Sequence, residues 1–100
     1  MYLVVFKAKA GVQDDTYSDT VAQLRKLAFE QYGCLEFIAV TEGEQEIALS
    51  YWPTEEHVLA WKQDGFHQIA QQKGRESWYQ SYTVEIAEIK RQYSFAENNE

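Results

Sequence analysis

The chain has one cysteine, one proline, and no basic cluster, and each scarcity closes off a class of protein. A lone Cys34 leaves no partner for an intramolecular disulfide and no multi-cysteine metal site. Its default reading is a small buried hydrophobe rather than a nucleophile. Nine Lys and Arg stand against sixteen Asp and Glu, a formal net charge of −7. Phosphate backbones and anionic lipid would repel such a surface, which sets nucleic acid and membrane aside as partners. No apolar run approaches the roughly 20 residues that a membrane span needs. The opening Met1-Tyr2-Leu3-Val4-Val5-Phe6-Lys7 lacks a basic start and a small-residue cleavage site, so it reads as a strand rather than a leader. A cytoplasmic setting is the expectation.

What is abundant is apolar and aromatic: 45% and 15% of 100 residues. That is a globular composition, sized for one domain. A chain this short buries only roughly 60–65% of the surface its unfolded form exposes, so a partner surface would help it.

Residues 2–9 form a β-rich run, with Tyr2, Val4 and Phe6 on one face and Leu3 and Val5 on the other. Gly11 ends it. Asp14-Asp15-Thr16 looks like a helix start, and Tyr17, Val21, Leu24 and Ala28 mark one helix face running to about Tyr32, stopped by Gly33. Cys34–Thr41 is the second strand, Glu42-Gly43-Glu44 a hairpin turn, and Glu46–Trp52 the third strand. Ala48, Ser50 and Trp52 alternate there against Ile47, Leu49 and Tyr51. Pro53 stops that strand, and Thr54 with Glu55 and Glu56 caps a helix carrying Val58, Leu59 and Trp61. The helix breaks near Asp64-Gly65. A second helical piece follows, bearing Phe66, Ile69, Ala70 and Lys73 and ended by Gly74. Trp78–Tyr93 reads as a long last strand, and residues 94–100 as a flexible acidic tail.

This order is the α+β, ferredoxin-like split βαβ plan, β-α-β-β-α-β, with an antiparallel sheet over residues 1–93. A sheet with one wet face should alternate apolar and polar. These strands are apolar on both faces, so the face without helices calls for a cover, and a second copy of the same sheet is the simplest one.

Leu49-Ser50-Tyr51-Trp52-Pro53-Thr54-Glu55-Glu56, then Ala60-Trp61-Lys62, His67, Ala70-Gln71, Gly74-Arg75, Trp78-Tyr79 and Tyr82 follow one another along the chain. Val84-Glu85-Ile86-Ala87, Arg91 and Tyr93 close the series. Together they resemble the antibiotic biosynthesis monooxygenase (ABM) domain family across residues 2–93. The resemblance implies a homodimer whose two sheets meet face to face as a dimeric α/β barrel, with a ligand cavity between sheet and helices in each subunit. It also implies oxygenation of a small aromatic or quinol-like molecule with no metal, flavin or haem.

Such chemistry needs an electron-rich substrate anion, hence a base or a polarising donor in a largely apolar pocket. His67 is the acid–base candidate because its unperturbed pKa suits that work. Trp52 and Trp61 are candidate cavity walls whose indole N–H groups could donate to a carbonyl or an oxygen-derived anion. Tyr79, Arg75 and Gln71 are the candidates for substrate contact. Tyr79 and Tyr82 are expected on opposite faces of the last strand, so only one of them would serve a given cavity. His57, beside two glutamates, reads as a surface residue.

The departures from the family pattern matter. Ala48 and Val58 stand where quinol-oxidising members of the family place Asn and Tyr, although Trp52 matches their Trp. Haem-degrading relatives have a His where Gln71 stands, and an Asn on a first strand that here has none. The alternative reading is a non-catalytic dimeric small-molecule-binding or stress-response protein using the same cavity.

Overall fold

The computed structural model describes residues 1–97. Four strands form one antiparallel sheet in the order β2-β3-β1-β4, with three α-helices against one face. The strands are β1 (Tyr2–Ala10), β2 (Glu36–Glu42), β3 (Gln45–Trp52) and β4 (Tyr79–Glu88). The helices are α1 (Tyr17–Glu30), α2 (Glu55–Lys62) and α3 (Gly65–Lys73), the last running into a π-helical turn over Gly74–Trp78. This is the ferredoxin-like plan that the element order implies.

Local chemistry sets most boundaries. Asp14 accepts from the Thr16 N–H at 3.0 Å and the Thr16 hydroxyl at 2.7 Å, closing the turn that leads into α1. Gly33 leaves that helix with φ +77°, a left-handed conformation that favours glycine. Gly43, at φ +59°, turns the β2–β3 hairpin. Thr54 caps α2, its hydroxyl accepting from the His57 N–H. Asp64 both ends the α2 break and caps α3, accepting from Phe66 N–H at 2.9 Å and from the Tyr32 hydroxyl at 2.6 Å. That pair pins α3 to the end of α1.

Register decides which residues meet the helices. Val4 pairs with Ser50 and Ile86, and Phe6 with Ala48 and Val84. With Trp52, Phe37 and Tyr82 these side chains form the helix-facing side. Leu3, Val5, Leu49, Tyr51 and Ile38 share the other. The core joins Val4, Ala28, Cys34, Trp52, Val58 and Trp61, with Tyr2, Tyr32 and Phe37 packed around it. Cys34 is part of that core; burial pushes its thiol pKa up, the opposite of an activated nucleophile.

Several boundaries differ from the sequence expectation by a residue or more. The last strand stops at Glu88, not Tyr93. Its partner β1 begins at Tyr2, opposite Glu88, and the bond from Ile89 N–H to Met1 C=O at 3.0 Å is the final rung between the two. The second strand starts at Glu36 rather than Cys34, because the Cys34 N–H is spent on the α1 carbonyl of Ala28. Gly74 follows the last residue of α3, as expected, but it does not turn the chain out of a helical path. It keeps a right-handed conformation (φ −57°, ψ −48°) and the chain continues through the π turn. The expected tail falls partly on residues 98–100, which lie outside the described residues. Residues 89–97 carry no helix or strand.

Candidate active site

A cavity of about 290 Å³ lies between the sheet and the helices, with an overwhelmingly apolar and aromatic wall. It opens to solvent at its margins, where the exposed Val40, Val84 and Ile86 line it. His67, Trp61, Gln71 and Tyr79 all line it; Trp52 and Arg75 do not.

Trp52, Trp61 and His67 form a continuous aromatic series. Trp61 lies tilted on Trp52 with ring centroids 4.9 Å apart, and His67 meets Trp61 edge-on at 4.4 Å. Trp52 is fully buried behind the wall, and its indole N–H donates to the Ser50 hydroxyl at 2.9 Å, leaving nothing to offer a ligand. Trp61 differs in this respect. It is 8% exposed, lines the cavity, and its buried indole N–H has no partner among the described residues. A buried donor left unmade is costly, so an acceptor placed in the cavity would recover that cost.

His67 sits where water is scarce. Loss of solvation drives its pKa from 6.5 down to about 4, a fall that Asp64 opposes and Lys62 reinforces. The imidazole is therefore neutral at neutral pH. Gln71, one helical turn on, places its side-chain amide 3.2 Å from Nδ1. With the amide nitrogen facing the ring, Nδ1 accepts and the proton sits on Nε2. Turned over, the amide oxygen accepts from Nδ1–H and leaves Nε2 a free lone pair.

The wall also carries a group that the sequence reading passed over. Glu46, on the core-facing side of β3, accepts from Gln13 at 2.8 Å and from the Tyr17 hydroxyl at 2.9 Å. Tyr17 and Tyr79 hydroxyls lie 2.9 Å apart. Burial, then these neighbours, raises the Tyr17 pKa and keeps its proton in place. Tyr79 is raised as well, chiefly by burial. The available signal was parity: Glu46 shares its strand face with Ala48, Ser50 and Trp52, and a carboxylate on a core face needs a reason.

Tyr79 and Tyr82 both line the cavity, against the expectation of opposite faces. The β1–β4 register slips between Lys9 and Ala10, so Ala8 faces Tyr82 while Ala10 faces Tyr79. This bulge absorbs one residue and restores a shared face. Their rings lie 6.2 Å apart, with Phe6 against both. Arg75 is exposed on the π turn and forms neither of the two ion pairs found among the described residues. His57 is exposed and tied to Thr54, as a surface residue would be.

The sheet order and the aromatic-walled cavity between sheet and helices place the chain in the class of ferredoxin-like α+β domains. No family model matches the chain. The chain is 36% identical over 98 residues to YqjZ, an uncharacterised protein of Bacillus subtilis, covering 97% of this chain and 86% of that one. It is 26% identical over 93 residues to jasmonate monooxygenase ABM of Pyricularia oryzae, covering 89% of this chain but only 43% of that protein. SnoaB, a cofactor-independent oxygenase from Streptomyces nogalater solved as a mutant, superposes with a TM-score of 0.76 at 8% identity, covering 91% of this chain and 94% of that one. Rv0793 of Mycobacterium tuberculosis superposes at 0.68 with 11% identity, covering 94% and 100%. The chain belongs to one family with YqjZ, and it has the fold of the solved antibiotic biosynthesis monooxygenase domain proteins.

Proposed function

We propose that the chain is a monooxygenase for a small aromatic or quinol-like molecule bearing a phenolic or enolic proton, with the substrate itself supplying the electrons that reduce dioxygen. The observation that carries this reading is a neutral, desolvated His67 set against Trp61, whose indole N–H has no partner, in an aromatic-walled cavity. With Gln71 turned to accept from Nδ1–H, Nε2 takes the substrate proton. The Trp61 N–H then hydrogen-bonds the oxyanion that remains. The anion passes an electron to O₂ and the radicals combine. Breaking the O–O bond leaves one oxygen on carbon and releases the other as water. For an anthrone-type CH₂ the balance is CH₂ + O₂ → C=O + H₂O, with no outside reductant.

The energetics constrain this step. Moving a proton from a phenol of pKa about 10 to an imidazole of pKa about 4 is uphill by roughly 8 kcal/mol. That lies well inside the barrier of about 16 kcal/mol that corresponds to roughly ten turnovers per second. The Trp61 hydrogen bond lowers it further. The relationship to SnoaB, described as a cofactor-independent oxygenase, supports the same chemistry.

Oxygen uptake with a panel of hydroquinones and anthrones tests the reading. Consumption above a protein-free control is expected, with ¹⁸O from labelled dioxygen in the product. His67→Ala should lower kcat by about 10²-fold or more. No consumption, or full activity in His67→Ala, would count against it.

The assembly belongs to this proposal. Leu3, Val5, Leu49, Tyr51 and Ile38 make a contiguous apolar area on the sheet face that carries no helix. A second copy laid sheet to sheet about a two-fold axis would cover it with the same residues. The cavity lies on the helix side, so each subunit would keep a complete site.

A further inference from the structure

The hydrogen bonds around Glu46 have a fixed direction. Tyr17 has one hydroxyl proton, and the Glu46 carboxylate takes it. The 2.9 Å contact between the two tyrosines must therefore run from the Tyr79 hydroxyl to the Tyr17 oxygen. Gln13 supplies the donor to the other carboxylate oxygen. With its own proton committed, Tyr79 presents the cavity with lone pairs and no donor, backed by a carboxylate two bonds along the chain. Packing holds it there. A Cβ built on Gly74 would lie 3.1 Å from Tyr79 Cδ2 and 3.3 Å from Cε2, so the glycine leaves room for the ring. The β1–β4 bulge turns that ring to the cavity side.

We propose that Tyr79, oriented through Tyr17 by Glu46, is the specificity-determining acceptor of this cavity, selecting uncharged aromatic ligands that bear a hydroxyl over carboxylate-bearing ones. A ligand hydroxyl, in a hydroquinone-type molecule a different one from that whose proton passes to His67, completes the relay by donating to Tyr79. An anion meets lone pairs and the Glu46 charge in a wall of low polarity, where repulsion is poorly screened. Trp61 N–H supplies the complementary donor for a ligand oxygen elsewhere in the same wall. Lys62, also in the wall, would favour acids, but it stands exposed in water, where a charge acts weakly. The inference rests on the cavity being the ligand site and not on the oxygenation step.

Binding without turnover separates the two. Under anaerobic conditions at pH 7.5, the intact chain is titrated with 1-naphthol, naphthalene and 1-naphthoate, following quenching of tryptophan fluorescence. Naphthol should bind about fivefold more tightly than naphthalene, the value of one net hydrogen bond. Naphthoate should bind at least about tenfold more weakly than naphthol. Tyr79→Phe should erase the naphthol advantage while leaving naphthalene unchanged, which also shows an intact cavity. Glu46→Gln should close the naphthol–naphthoate gap to under about threefold. The proposal is overturned if naphthoate binds as tightly as naphthol, which would give Lys62 control. It is equally overturned if neither variant moves the ratios, or if none of the three compounds binds. Preserved discrimination with no oxygen uptake would sink the reaction alone.

Discussion

The neutral state of His67 makes a prediction that needs no substrate. Folding moves its pKa from 6.5 to about 4, so the unfolded chain binds this proton more readily than the folded one. Stability must then fall as pH drops through the window from about 6.5 to 4. It is unaffected by this group above that window and fully diminished below it. The slope within the window is about 1.4 kcal/mol per pH unit, and the total is roughly 3 kcal/mol. The imidazole keeps some contact with solvent, so this is the upper end. Carboxylates also titrate in this range, so the group is isolated by difference. Urea unfolding of the wild type and His67→Gln is compared at fixed protein concentration from pH 7.5 to 3.5. The wild type should lose up to about 3 kcal/mol relative to the variant, nearly all of it above pH 4. An NMR titration of the His67 ring should give a midpoint near 4. A difference that stays flat across the window, or a ring that titrates near 6.5, would refute the claim that the cavity wall keeps water from this imidazole.

Other outcomes follow from separate parts of the fold. Trp52→Ala should cost about 3–5 kcal/mol in urea unfolding, since the fully buried ring leaves a large void and strands the Ser50 hydroxyl. Gly33→Ala should lower stability by about 1–2 kcal/mol, from the φ of +77° and the His57 ring 3.0 Å from the new methyl; no loss in thermal unfolding would contradict the stated conformation. On the proposed assembly the wild type should sediment as a dimer, and Leu49→Glu, which places a charge at the centre of the helix-free sheet face, as a monomer. An unaltered dimer would mean that the contact lies elsewhere.

Much of the fold could be read from alternation because the strands are short and each pairs along nearly its whole length. Tyr2, Val4 and Phe6 share a face in the sequence pattern and in the register alike. The helix starts at Thr16 and Thr54 were legible because their chemistry is local: Asp14 closes the turn before the first, and the Thr54 hydroxyl caps the second. Ends set by a distant partner were not. The last strand reads as β-competent through Tyr93, yet it stops at Glu88 because strand length depends on the neighbour's backbone as well as on propensity. Gly74 does cap α3, but for a reason the sequence does not show: it leaves space beside the Tyr79 ring and takes no left-handed turn.

The site divides along the same line. His67, Trp61, Gln71 and Tyr79 could be named from their residue types and their likeness to a family pattern, and each lines the cavity. Trp52 and Arg75 have equally suggestive side chains. One faces core and the other water, a difference that depends on where the helices cross the sheet. The pairing of Tyr79 with Tyr82, and with it the contact of Tyr79 with Tyr17, depends on a single extra residue in β4, Gln80, opposite the step from Lys9 to Ala10. Without that extra residue Tyr79 would point to the helix-free face, and its contact with Tyr17, and through it with Glu46, would be lost. The proposed selection of ligands by Tyr79 therefore rests on a register irregularity, set by backbone pairing across about 70 residues of chain rather than by any local motif.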